Sequence, residues 1–216
     1  MSIFQLPKET IYGRVIPKNA FDQFTNSKQK KTLSTLVKRI TWTHKLSTET
    51  TNLPSTEIKE IQIFSVELKT KGDLTKILEM IDRSIPYQII FIQSFETQIK
   101  ISTALKHLHP SKLNQAIVDA TLSTDWIEKE ISSFDLVLKG SLEQTYISFC
   151  HQVAGRKYSV KDYAEFVSRE LKIKELESRI KRLKGRVSAA KQFNEKVALN
   201  MELNGVVGEL AVLLEC

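Results

Sequence analysis

Two apolar runs with one amphipathic helix between them constrain this chain more than any other feature. EIKEIQIFSVELK, residues 57–69, places Ile61, Ile63, Ser65, Glu67 and Lys69 on one face and Gln62, Phe64, Val66 and Leu68 on the other. That period of two is the signature of a strand. PYQIIFIQSF, residues 86–95, is almost continuously apolar, as a strand buried on both faces is. Between them Gly72-Asp73 closes the first strand, and Asp73 is suited to cap a helix. Leu74, Ile77, Leu78 and Ile81 then recur at helical spacing. Phe95-Glu96-Thr97 reads as a tight turn, and QIKISTALK, residues 98–106, as its hairpin partner. The order β–α–β–β predicts an α+β fold, a mixed sheet with helices packed on it.

The flanking sequence extends this core. Pro17 falls where a helix would start, and residues 28–40 place Leu33, Leu36, Val37 and Ile40 at helical spacing. ITWTHKLS, residues 40–47, alternates as a strand, and residues 48–56 read as a polar loop. Residues 107–122 read as helical or irregular, with further strands at 121–127 and 133–140. Residues 141–155 read as a helix closed by Gly155. Residues 161–204 read as helix almost without interruption. This predicts a globular domain over residues 1–157 and a long C-terminal helical, coiled-coil-like arm over 158–216.

The arm carries a heptad. Ile173, Ile180, Val187 and Asn194 fall at a, and Leu176 and Leu183 at d. In a parallel homodimer Arg179 would face Lys184 and Arg186 would face Lys191, both repulsive. The seam is therefore expected to meet its own domain, an antiparallel copy, or an acidic helix of another protein.

Charge sharpens this picture. The chain has a net charge of +7, resolved as +6 over residues 1–52, −1 over 53–160 and +2 over 161–216. Between Arg179 and Lys196 stand seven basic residues and one acid. Arg179, Lys181, Arg182, Lys184, Arg186 and Lys191 are thus candidates for binding DNA phosphates or an acidic partner. A solvated helix face is the competing reading.

Catalytic signals are sparse. Glu67-Leu68-Lys69 is a Glu-x-Lys at a strand end, the arrangement that holds a divalent ion in restriction-endonuclease-like nucleases. Such a site needs a second carboxylate from a preceding strand, and no Asp occurs between residues 23 and 72. A strand-end ion pair is the competing reading. His107 and His109 lack a third ligand nearby, and His44 reads as structural. His151 follows Cys150 on a helix, where adjacent residues diverge. Trp42, Trp126 and Tyr87 lie in apolar context. The sequence has no nucleotide-binding glycine motif, no nucleophile elbow and no Cys-x-x-Cys pair, so no cofactor and no metal site is assigned. Two cysteines, Cys150 and Cys216, suit a reducing compartment. No secretory leader or transmembrane run is read, which makes the cytoplasm the expectation.

Several segments in a fixed order resemble one prokaryotic family, domain-of-unknown-function family 4391. They are FQLPKET at residue 4, ITWTHKLS at 40, EIQIFSVELK at 60, IDRSIPYQIIFI at 81, Asp125-Trp126, and KQFNEKVALNMEL at 191. The resemblance spans Phe4 to Leu203. It implies a bacterial protein whose gene tends to lie beside helicase and DNA methyltransferase genes, in restriction-modification or phage-defence-like loci. It carries over no catalytic residue. The expectation is a non-catalytic accessory subunit of a DNA-handling complex, with a helicase or DNA methyltransferase as protein partner and DNA contact through the basic helix. The alternative is a metal-dependent nuclease using Glu67 and Lys69. Homo-oligomerisation stays open.

Overall fold

The computed structural model describes residues 3–112, 114–131 and 133–215. Contacts divide it into two compact units, Met1–Gly155 and Arg156–Cys216. Of the two cysteines, Cys150 is fully buried, and Cys216 lies outside the described residues.

The first unit is α+β. A seven-stranded mixed sheet runs in the order β1-β2-β3-β4-β5-β6, with β7 also pairing with β5. The strands are β1 (Ile11–Ile16), β2 (Val37–Ser47), β3 (Glu60–Leu68), β4 (Gln88–Phe95), β5 (Gln98–Leu108), β6 (Ala116–Ser123) and β7 (Ile127–Glu128). The helices are α1 (Ser27–Leu36), the single turn α2 (Thr48–Thr51), α3 (Thr75–Ser84) and α4 (Leu142–Ala154).

The expected core forms as read. β3 and β4 are parallel, joined across α3, and β4 and β5 make the antiparallel hairpin. Phe64, Val66, Ile89 and Phe91 pack with Ile77, Leu78 and Ile81 of α3, with Leu74 just before it and with Leu33 of α1. Ile61 and Ile63, on the other face of β3, are also fully buried. That double burial explains why the run is so rich in Ile, Val and Phe. α4 packs against β3, β5 and β6. Its Tyr146 hydroxyl donates to the Ala104 carbonyl at 2.8 Å.

Local chemistry fixes the element ends. Asn26 and Gln29 form a reciprocal cap on α1, each side chain accepting the other's backbone N–H at 2.9 Å. Gly155 closes α4 in the left-handed region at φ 64°. Gly72 allows a close approach: a Cβ there would sit 2.5 Å from the Leu36 side chain.

The sheet unit departs from the sequence reading at four places. Helix α1 stops at Leu36, because Val37 to Ile40 pair with β3, where Val37 faces Leu68 and Ile40 faces Val66. Their β-branched side chains suit a strand, and sheet pairing overrides the helical spacing. β1 has no counterpart in the sequence reading; it pairs antiparallel with β2 across an irregularity around Gly13 (φ 65°). Residues 107–122 are mostly strand, since β5 runs to Leu108 and β6 pairs back along it. Residues 133–140 form no strand.

The second unit is a helical hairpin, α5 (Tyr163–Ala189) and α6 (Phe193–Glu215). Asp162 caps α5 by accepting the Glu165 N–H at 2.8 Å. Helix covers most of residues 161–204, as expected, and one short break folds the arm back on itself. Ala190 adopts an extended conformation and the chain reverses before Phe193. Leu176, Leu183, Leu199 and Val206 form a buried seam between the helices, flanked by Ile180, Val187, Leu203 and Leu210. By length and composition alone α6 is long enough and apolar enough to cross a membrane, a test that the core helix of a soluble protein also passes.

Candidate functional site

Glu67 and Lys69 do not share a site. Glu67 is the penultimate residue of β3, and its register partners are Arg39 on β2 and Ser94 on β4. The Arg39 guanidinium donates to the Glu67 carboxylate, and the Lys38 ammonium lies 3.4 Å from it. These two cations, Arg39 above all, hold the carboxyl below its ordinary range. Lys69 stands past the strand end, so the period-two argument no longer applies to it. Its Nζ donates to the Ser34 carbonyl of α1 at 2.8 Å.

Glu67 borders a groove of about 480 Å³ whose other polar lining includes Thr41, Thr43, Ser65 and Ser94. No second acid lines it among the described residues. Nor does any group of three or more His, Cys, Asp or Glu side chains there converge as metal ligands would. The arrangement has the geometry of a charge-neutralised strand end. His107 and His109 are similarly engaged. His107 Nδ1 lies 2.8 Å from Asp119, and His109 Nδ1 accepts backbone N–H groups from Ser111 and Lys112. Buried His44 has its pKa lowered by desolvation.

Of the recognition aromatics, Trp42 lies between Tyr12 and Phe64, with tilted rings whose centroids are 4.0 and 6.0 Å away. Its indole N–H donates to the His44 carbonyl at 2.8 Å. Trp126 carries the Lys71 ammonium 5.1 Å above its ring. Tyr87 is 40% exposed and borders an apolar groove with Trp42, Phe64 and Ile85.

The basic residues gather at one end of the hairpin. Lys181, Arg182, Lys184 and Arg186 lie on the last turns of α5, and Lys191 follows in the reversal. All five are exposed, and none makes an ion pair among the described residues. Arg179 differs, since it pairs with Glu202 of α6 at 2.8 Å. Toward the other end Lys172 lies 3.6 Å from Glu209. The seam candidates Ile173, Leu176 and Leu183 are buried, and Ile180 and Val187 are half-buried. Asn194 sits exposed in the first turn of α6, because the reversal takes it out of the α5 heptad. The seam thus meets the chain's own second helix.

Sequence reasoning missed Lys106, Asp82 and Glu143, charged side chains buried in the sheet unit. Lys106 on β5 sends its ammonium inward, 2.9 Å from Asp82 Oδ1, 2.9 Å from the Asp82 carbonyl and 3.0 Å from the Ile85 carbonyl. The two side chains are 0% and 3% exposed. Burial pushes Asp82 up to about 6 despite the neighbouring ammonium, and burial lowers Lys106. Glu143, in the first turn of α4, accepts the backbone N–H groups of Thr56, Glu57 and Ile58 at 2.7 to 3.0 Å. Burial opposes its charge, but these and neighbouring donors win and hold it at about 2. A Glu after Ser141 at a helix start is the one visible signal; nothing marks Lys106 inside an alternating strand.

These features define an α+β sheet protein with a helical hairpin that carries a free basic end. The chain belongs to the family described as Domain of unknown function (DUF4391), whose model matches residues 4–210. It matches no curated protein and no solved structure.

Proposed function

We propose that this chain is a non-catalytic interaction subunit and that the basic end of its hairpin contacts DNA phosphates. The observation that carries this reading is the cluster Lys181, Arg182, Lys184, Arg186 and Lys191, exposed and unneutralised on a rigid helix and its adjoining reversal. Cations already paired, such as Arg39, have their charge spent within the fold. Cations left free on a helix attract phosphate and release its counterions. The family resemblance supports the same class of partner, a helicase or DNA methyltransferase acting on DNA.

The test is anisotropy with a fluorescent duplex, read as a salt series. Wild type is expected to lose affinity linearly in log–log form. The triple variant Arg182→Gln, Lys184→Gln, Arg186→Gln is expected to flatten the slope by about 2.7, at about 0.9 for each phosphate that it no longer neutralises. A variant that binds DNA like wild type sinks the proposal. An affinity pull-down from the native host, with and without nuclease treatment, then separates a protein partner from one bridged by DNA.

A further inference from the structure

α6 presents two apolar faces, and α5 covers one of them. Leu199 and Val206 face the seam, while Phe193, Val197, Met201 and Val212 are 79%, 41%, 71% and 61% exposed. At 3.6 residues per turn these four fall on one stripe with Asn204, Gly208 and Ala211. We propose that this stripe is a homodimer interface, in which α6 packs antiparallel against α6 of a second copy of the chain.

Two independent features select that occupant and that direction. The first is size. Phe193, Val197 and Met201 occupy the N-terminal half of the stripe, and the two small residues, Gly208 and Ala211, stand in the C-terminal half beside Val212. A twofold axis near Asn204 sets Met201 of each copy over Gly208 of the other, and Val197 over Ala211. Large meets small twice, as an isologous interface requires. A parallel pairing sets Met201 on Met201 and leaves a gap at Gly208. Asn204 then faces its own symmetry mate, and an amide can donate to and accept from its copy, which fixes register.

The second feature is charge. From residue 179 to 196 there are seven basic residues and one acid. From 197 to 215 there is no Lys or Arg, and Glu202, Glu209 and Glu215 are the only charges. Glu202 and Glu209 already pair with Arg179 and Lys172 inside the hairpin, which leaves Glu215; antiparallel pairing sets it beside the basic reversal of the mate's hairpin, and parallel pairing stacks the two basic reversals on each other. The interface is separate from the internal seam, whose heptad α5 and α6 use between themselves.

The experiment is light scattering on the full chain, together with cysteine cross-linking in a Cys216→Ser background. Wild type is expected at twice the 24.7 kDa chain mass. Met201→Glu is expected to be monomeric with an unchanged helical circular dichroism signal. Asn204→Cys is expected to form a disulfide dimer within minutes of mild oxidation, whereas Val197→Cys is not, because the antiparallel copies hold those positions about 22 Å apart at 1.5 Å per residue. A wild-type monomer at high concentration overturns the proposal, as does efficient cross-linking at both positions, which signals a parallel pair. Flotation of wild type with phosphatidylcholine–phosphatidylglycerol vesicles, lost in Met201→Glu, overturns it in favour of a membrane surface.

Discussion

The sheet unit buries its strongest charges, whereas the basic end of the hairpin wears its charges on the outside; the one buried hairpin carboxylate among the described residues, Glu170, lies toward the other end, paired with Arg156. Lys106 and Asp82 lose almost all contact with water, and Glu143 gives its carboxylate to three backbone N–H groups. In the hairpin, Arg179 and Glu202 are 44% and 41% exposed, and the neighbouring cations face solvent. A buried charge is committed to the fold because its removal strands its partner in low dielectric. An exposed one costs the fold little and stays available to another molecule. The contrast predicts a steep gradient of mutational effects between the two units.

The largest effect is expected at Lys106. Lys106→Met leaves Asp82 buried without its cation and should destabilise the sheet unit by about 3–5 kcal/mol in urea unfolding. Pairing it with Asp82→Leu should recover much of that loss, since two apolar groups need no partner. The pH dependence has a defined sign. The native pKa of Asp82, about 6, lies above its unfolded value, so the folded state holds the proton more tightly. This group therefore favours the fold at low pH, and that contribution is withdrawn as pH rises through 6. Removing the ammonium raises the carboxyl further, so the Lys106→Met deficit should be smaller at pH 5 than at pH 8. A deficit that is equal at both would place the charge of Asp82 elsewhere.

In the hairpin the largest loss should come from the seam, not from charge. Leu183→Ala removes a 3%-exposed side chain between the helices and should cost about 3 kcal/mol, read as loss of helical signal at lower denaturant. Next comes Glu143→Gln, at about 1–2 kcal/mol, because three N–H donors lose a charged acceptor. Its sign is opposite to that of Asp82. A folded pKa of about 2 means its stabilisation is full above the unfolded value and is lost as pH falls toward 2. The wild-type-to-variant difference should therefore shrink in acid.

The same contrast explains what the sequence made legible. Period-two alternation in 57–69 and helical spacing in 74–81 are local signals, and both elements formed where those signals lay. The heptad from Ile173 to Val187 identified a seam, but its partner depended on the reversal at 190–192. AAKQ carries neither Gly nor Pro, so nothing local announced it. Val37 to Ile40 misled because Val and Ile at helical spacing also suit a strand, and only pairing with β3 decides. Lys106 could not be read, because its burial depends on carbonyls that Asp82 of α3 and Ile85 just beyond it supply, more than twenty positions earlier. At Glu67 the tripeptide motif was visible, but the cations facing it came from β2, through register alone.

The smallest effect on stability is expected at Glu202, where the contrast is sharpest. Its pair with Arg179 is exposed on both sides, and such pairs contribute a few tenths of a kcal/mol. Glu202→Gln should therefore shift hairpin stability by no more than about 0.5 kcal/mol. It should also release Arg179 to join the free cations of the basic end. If that end binds DNA, one more neutralised phosphate steepens the log–log salt slope by about 0.9. The two readouts separate the roles of a charge. An unchanged stability with a steeper slope makes the pair a restraint on binding. A loss of several kcal/mol would instead mean that the hairpin, like the sheet, has committed its charges to the fold.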